Sequence, residues 1–104
     1  MGDIYRAIAD PVRRRILYIA SQKECTQSEL VQAFRMSQPA IHKHIRILKE
    51  EGLISERKIG KYSLYSLNVD SYALAFAAIQ QELGQILQQK LVRLKYFLEK
   101  ERED

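Results

Sequence analysis

A chain of 104 residues that is 46% hydrophobic and holds a single cysteine has material for one compact core, but none for an internal disulfide or a paired-cysteine metal site. Its longest uninterrupted apolar stretch, Ala73 to Ile79, falls far short of the roughly 20 residues that cross a bilayer, and no signal-peptide pattern opens it, so a cytoplasmic protein without membrane attachment is expected. The net charge of +4 is unevenly spread: residues 1 to 67 carry 12 Lys or Arg against 7 Asp or Glu, while the remainder carries 5 against 6, and the basic first two thirds suit a polyanion.

A short helix is predicted over Ile4 to Ala9. Asp10 followed by Pro11 reads as an N-cap with proline at the first helical position. It opens a second helix with Val12, Ile16, Leu17 and Ile19 along one side. Thr26 with Glu29 three residues on forms a capping box, and the third helix carries Leu30, Val31 and Phe34 inward before stopping near Met36. Ser37 caps a fourth helix with Pro39 in its first turn. Ile41, Ile45 and Leu48 recur at i, i+4 and i+7, and Gly52 closes the helix. Two short helices joined by a tight turn outline a helix-turn-helix. On the face opposite that apolar stripe stand Gln38, Pro39, His42, Lys43 and Arg46, free to meet base edges and phosphates.

Beyond Gly52 the hydrophobic period shortens toward two, over Leu53 to Arg57 and again over Tyr62 to Leu67. A β-hairpin is predicted, with Lys58-Ile59-Gly60-Lys61 as a basic tip, Tyr65 and Leu67 facing inward and Leu64 on the other side. From Asp70 or Ser71 a single helix of about 30 residues, roughly 45 Å long, is expected. Its apolar positions Phe76, Ile79, Leu83, Leu87, Leu91, Leu94 and Leu98 make a seam longer than one small domain covers. The stretch from Tyr72 to Ile79 is expected to fold back on its own domain and the rest to meet a second copy. Gly84 would allow close approach of two helix backbones, and Ile4 and Ile8 of the first helix are assigned to the same dimer contact.

Three ordered segments resemble the ArsR/SmtB-type winged-helix repressors of bacteria and archaea. They are Ala9-Asp10-Pro11-Val12-Arg13-Arg14-Arg15-Ile16-Leu17, the run from Ser37 to Ile54, and Arg57-Lys58-Ile59-Gly60-Lys61 with Tyr65-Ser66-Leu67. The resemblance covers roughly residues 4 to 70. It implies a mainly α fold with an α+β wing, of about five helices and one hairpin: a single domain over 1–104, with a DNA-binding core and wing over 1–70 and a long C-terminal dimerisation helix over 71–104. It also implies a homodimer on double-stranded DNA with a pseudo-palindromic operator, one recognition helix per major groove and the wings beside the backbone. Ser37, Gln38, Pro39, His42, Lys43, His44, Arg46, Arg57, Lys58 and Lys61 are the candidate DNA-binding residues. His44, beside the buried stripe, suits a helix-anchoring or phosphate-directed hydrogen bond, and His42 suits base contact.

At i and i+2, His42 and His44 point to different sides of a helix and cannot share one ion. The resemblance places the cysteine pair of metal-sensing relatives on about Thr26 and Ser28. Cys25 stands alone as a small helix-edge residue, and the last helix holds no histidine, so no metal and no cofactor are expected. No glycine-rich phosphate loop and no nucleophile with a base at motif spacing is present, and the chain reads as a non-enzyme. The expectation is a repressor released by a small apolar ligand or a protein inducer docking on the long helix. The alternative is a protein-interaction module that uses the winged-helix scaffold and the long helix.

Overall fold

A computed structural model describes residues 3 to 102; Met1, Gly2, Glu103 and Asp104 lie outside the described residues. Among the described residues the order is α1 (Ile4–Ala9), α2 (Pro11–Gln22), α3 (Gln27–Phe34), α4 (Gln38–Glu50), β1 (Ile54–Ile59), β2 (Tyr62–Leu67) and α5 (Val69–Arg102). This is the five-helix, one-hairpin architecture expected from the sequence. The chain divides into two compact units, the first reaching Tyr72 and the second beginning at Ala73.

Each helix start in the first unit has a local cause. Asp3 caps α1, and Asp10 accepts from the amides of Val12 and Arg13 ahead of α2. Thr26 and Glu29 exchange the two bonds of a capping box on α3, and Ser37 accepts from Ala40 at the head of α4. Between α3 and α4 the chain turns at Arg35, whose φ of 53° is left-handed and the only such value among the non-glycine residues described. The α4 exit is a Schellman closure: the amide of Leu53 bonds to Leu48 O at 3.0 Å, that of Gly52 to Lys49 O at 2.9 Å, and Gly52 takes φ +71°. Leu48 and Leu53, brought together by this closure, are both buried.

The core of the first unit comprises Ala7, Ile16, Leu17, Ala20, Cys25, Leu30, Ile41, Ile45, Ile47, Leu48, Leu53, Ile54 and Tyr65. The stripe of α2 differs from the sequence expectation. Arg13, Ile16, Leu17 and Ala20 are buried, whereas Val12 and Ile19 are half-buried, because the Arg13 guanidinium finds acceptors inside. Leu30 is the buried residue of α3, with Val31 and Phe34 half-buried.

The hairpin also differs. The strands pair from Ile54↔Leu67 to Ile59↔Tyr62, so Lys58 and Ile59 belong to β1 and the tip shrinks to Gly60-Lys61. Gly60 adopts φ +59°, which allows a two-residue turn with glycine first, the pattern of type II′. On β2, Tyr65 is buried while Leu67 and Leu64 are both half-buried. Cys25 stands at the edge of α3, directly before its Thr26 cap, and is also paired. Its backbone forms an antiparallel bridge with Tyr65, through bonds of 3.0 and 2.8 Å, adding a one-residue third strand that buries its side chain.

No side chain of α5 is buried. Tyr72 is 40% and Phe76 58% exposed, while Ala75 and Ile79 are half-buried. The cause lies in the helix itself. From Phe76 to Leu98 its apolar positions form one stripe on 34 residues of continuous helix, and a lone helix cannot enclose its own stripe.

Candidate nucleic-acid interface

Helix α4 packs against α2, α3 and β1, and its burial follows from its sequence. Ile41, Ile45 and Leu48 form one inward stripe, and Ile47, on the other flank, is also buried. Ile47 was not singled out from the sequence, although an isoleucine flanked by Arg46 and Leu48 carries that signal. The opposite side is open: Ser37, Gln38, Pro39, His42, Lys43 and Arg46 are all exposed. Gln27 of α3 donates to Gln38 O at 3.5 Å, tying the first turn of α4 to the preceding helix.

His44 stands apart from that open row. It is half-buried, and its Nδ1 lies 3.1 Å from Nη1 of Arg13, an anchoring contact across 31 residues of sequence. The rest of the Arg13 fork donates to the carbonyls of Ala7 and Arg6, and Arg14 donates to the carbonyl of Ile8. Two guanidinium groups thus occupy the last carbonyls of α1, which explains how six residues persist as a helix. Arg15 stacks over the Tyr18 ring at 4.9 Å. Of the arginine run at 13 to 15, Arg13 is buried, while Arg14 and Arg15 make intrachain contacts but remain exposed.

The other predicted cations divide into paired and unpaired groups. Arg46 approaches Glu50 at 3.8 Å with both side chains more than half exposed, a pair worth at most about 1 kcal/mol and easily exchanged for another anion. Arg57 makes a bidentate bridge to Glu24, 2.7 Å on each arm, joining β1 to the α2–α3 connection. The Arg57 hydrogen bonds hold the Glu24 carboxyl below its usual value, and Glu24 in turn raises that of Arg57. Lys49, which no sequence signal marked, pairs with Glu56 and fastens the end of α4 to the hairpin. The Glu56 bond raises the lysine's value and lowers that of the carboxyl. Lys58 and Lys61 are exposed, Lys58 near enough to Glu56 to lower that carboxyl further, and Lys43 makes no ion pair among the described residues.

The geometry thus places Gln38, Pro39, His42, Lys43 and Arg46 together on one exposed helical face. Lys58 stands on β1 and Lys61 at the hairpin tip, and His44 and Arg57 are engaged by internal partners. Among the described residues no three His, Cys, Asp or Glu side chains gather as a metal-binding group, and no helix is long and apolar enough to cross a membrane. Burial pushes the Cys25 thiol up, and the Glu29 charge adds to the effect.

This geometry has counterparts among known proteins. The model of the bacterial regulatory protein family arsR matches residues 10–56. Over 68 residues the chain is 37% identical to the transcriptional repressor SdpR of Bacillus subtilis, covering 65% of this chain and 76% of that protein. The transcriptional repressor SmtB homolog of Synechocystis is 31% identical over 64% of this chain, and there the match spans only 51% of the relative's length. Among solved structures, a possible transcriptional regulator for arsenical resistance superposes with TM-score 0.73 at 30% identity, over 86% of this chain and 97% of that one. The homodimeric winged helix-turn-helix DNA-binding domain of Mb0332 from Mycobacterium bovis shares the fold with TM-score 0.63 at 24% identity, over 79% of this chain and 75% of that one.

Proposed function

The chain belongs to the arsR family of bacterial regulatory proteins and is a DNA-binding transcriptional regulator rather than an enzyme; on that premise we propose that it acts as a homodimeric repressor on a pseudo-palindromic operator, without a metal signal. The observation that carries the proposal is the division of α4 into a buried stripe of Ile41, Ile45 and Leu48 and an exposed row of Gln38, Pro39, His42, Lys43 and Arg46. Such a row, standing on a helix fixed by three neighbours, fits the major groove. Gln38 suits an adenine edge, Arg46 a guanine edge, and Lys43 a phosphate. Ser37 at the helix head and Lys58 and Lys61 of the wing suit the flanking backbone, to which His44 and Arg57 would turn only from their internal partners.

Dimerisation is supported by α5. Leu83, Leu87, Leu91, Leu94 and Leu98 are each more than half exposed on one stripe, and water-exposed leucines at that spacing favour a second copy. Phe76, Ile79 and Gly84 continue the stripe, and half-buried Ile4 and Ile8 of α1 are assigned to the same contact. We divide the roles at about residue 70, the core and wing meeting DNA and the long helix meeting its copy. Metal-independent regulation is supported by the donor set. The lone thiol is buried and held neutral, Thr26 and Ser28 offer hydroxyls where thiolates would be needed, and α5 has no histidine. We assign release from DNA to a small apolar ligand or a protein docking on α5, and the setting to the cytoplasm.

The test combines sedimentation velocity with selection of bound duplexes from a random pool. The expected result is a dimer that enriches a two-fold site with half-sites about one helical turn apart, and whose affinity is unchanged by added zinc or arsenite. A monomer, or binding without sequence preference, would overturn the repressor reading, and a metal-induced loss of affinity would overturn metal independence.

A further inference from the structure

Arg13 is the one buried cation among the described residues, 9% exposed, near the start of α2. Its Nε donates to Ala7 O at 2.8 Å, its Nη2 to Arg6 O at 2.7 Å, and its Nη1 lies 3.1 Å from Nδ1 of His44. Two of these partners are final-turn carbonyls of α1, and the third is a side chain of α4. A guanidinium carries donors only and keeps its proton, so Nδ1 of His44 must accept. A neutral ring that accepts at Nδ1 bears its proton on Nε2. A second proton on the ring would bring two cations into contact; Asp10, whose carboxyl feels the Arg13 charge, is the acidic group beside them.

We propose that Arg13 is a positioning residue for DNA recognition: it fixes His44 as the neutral, Nε2-protonated tautomer and couples the setting of α4 to that of α1. The coupling rests on the reading of α4 as the groove-binding helix. Because α1 carries Ile4 and Ile8, assigned above to the dimer contact, a shift at that contact reaches α4 through two carbonyls, one guanidinium and one imidazole. A packing role alone would leave both the tautomer and the coupling unspecified.

Two measurements test this. Long-range 1H–15N spectra of the unsubstituted protein at neutral pH report the tautomer directly. A bare Nδ1 and protonated Nε2 at His44 are expected, and a protonated Nδ1 or a mixture of the two tautomers overturns the proposal. Dissociation constants for a duplex selected from a random pool by the wild-type chain are then compared for Arg13→Gln, His44→Ala and the double variant. Each single change is expected to weaken binding about tenfold, with the double variant no weaker than the weaker single; independent losses multiplying to about a hundredfold overturn the coupling. Arg13→Lys, which keeps the charge but not the fork, is expected to fall between wild type and Arg13→Gln. Should Arg13→Gln fail to fold, the tautomer still decides. If the wild-type chain selects no duplex, the groove-binding reading fails by itself while the tautomer result stands.

Discussion

Replacing Asp10 with alanine removes a carboxylate that serves two orphan donors at once. Its Oδ1 accepts the amide of Val12 at 2.7 Å and that of Arg13 at 3.2 Å, while Pro11 has no amide to satisfy. Loss of an N-cap side chain costs about 0.5–2 kcal/mol, and double acceptance at a part-buried position places this one near 1.5 kcal/mol. At about 4–8 °C per kcal/mol for a domain of this size, Asp10→Ala should melt about 6–12 °C lower. Asp10→Asn keeps the acceptor and should remain within about 0.5 kcal/mol of wild type at neutral pH. Burial by itself raises the Asp10 carboxyl, but the amides of Arg13 and Val12 and the charge of Arg13 outweigh it and leave the value lowered. The unfolded chain therefore binds the proton more readily. The stabilisation is complete above the unfolded value near pH 4, by the usual aspartate range of about 3.9, and is lost as pH falls through the folded value. The gap between wild type and Asp10→Ala should narrow below about pH 4. Far-UV circular dichroism melts at fixed protein concentration measure both effects. A variant within about 0.3 kcal/mol of wild type at neutral pH, or a gap unchanged by acid, would refute the reasoning.

Two substitutions and one chemical modification probe other parts of the fold. Arg35→Gly relieves a left-handed residue with φ 53° and should stabilise the chain by about 0.5–1 kcal/mol in urea titration, no change or a loss counting against strain at that turn. Gly84→Ala meets nothing within 4 Å in the single chain and should favour the helix by about 1 kcal/mol, yet it should raise the dimer dissociation constant in sedimentation equilibrium; a tighter dimer contradicts close approach at Gly84. Cys25, buried with a raised thiol value, should react with iodoacetamide at least about tenfold more slowly than in the urea-unfolded chain, and equal rates would contradict the bridge with Tyr65.

The elements that could be read from the sequence are those with a local cause. Asp10-Pro11, Thr26 with Glu29, Ser37 and Gly52 each announce a helix boundary by chemistry confined to one turn, and all four stand where they were placed. Contacts between distant residues were not legible. Cys25 pairs with Tyr65 forty residues away, Glu24 takes Arg57, and Arg13 reaches His44. No periodicity marks such a pair, and an arginine between apolar positions on α2 looks like a solvated residue until its acceptors are seen. The hairpin tip was drawn too long because the basic run Lys58 to Lys61 conceals a strand that continues to Ile59, which the positive φ of Gly60 permits. The outer row of α4 was legible because a helix with a well-defined buried stripe fixes its opposite side, and the same logic missed Ile47, which is buried off that stripe.

The exposed row of α4 is tested most directly by binding of the Lys43→Ala and Arg46→Ala variants to the selected duplex over a range of salt. Lys43→Ala should weaken binding to all sequences alike and lower the salt slope by about 1, whereas Arg46→Ala should cost about 1–3 kcal/mol and relax preference at one base pair. Wild-type affinity, slope and sequence preference in both variants would contradict the assignment of α4 to the groove.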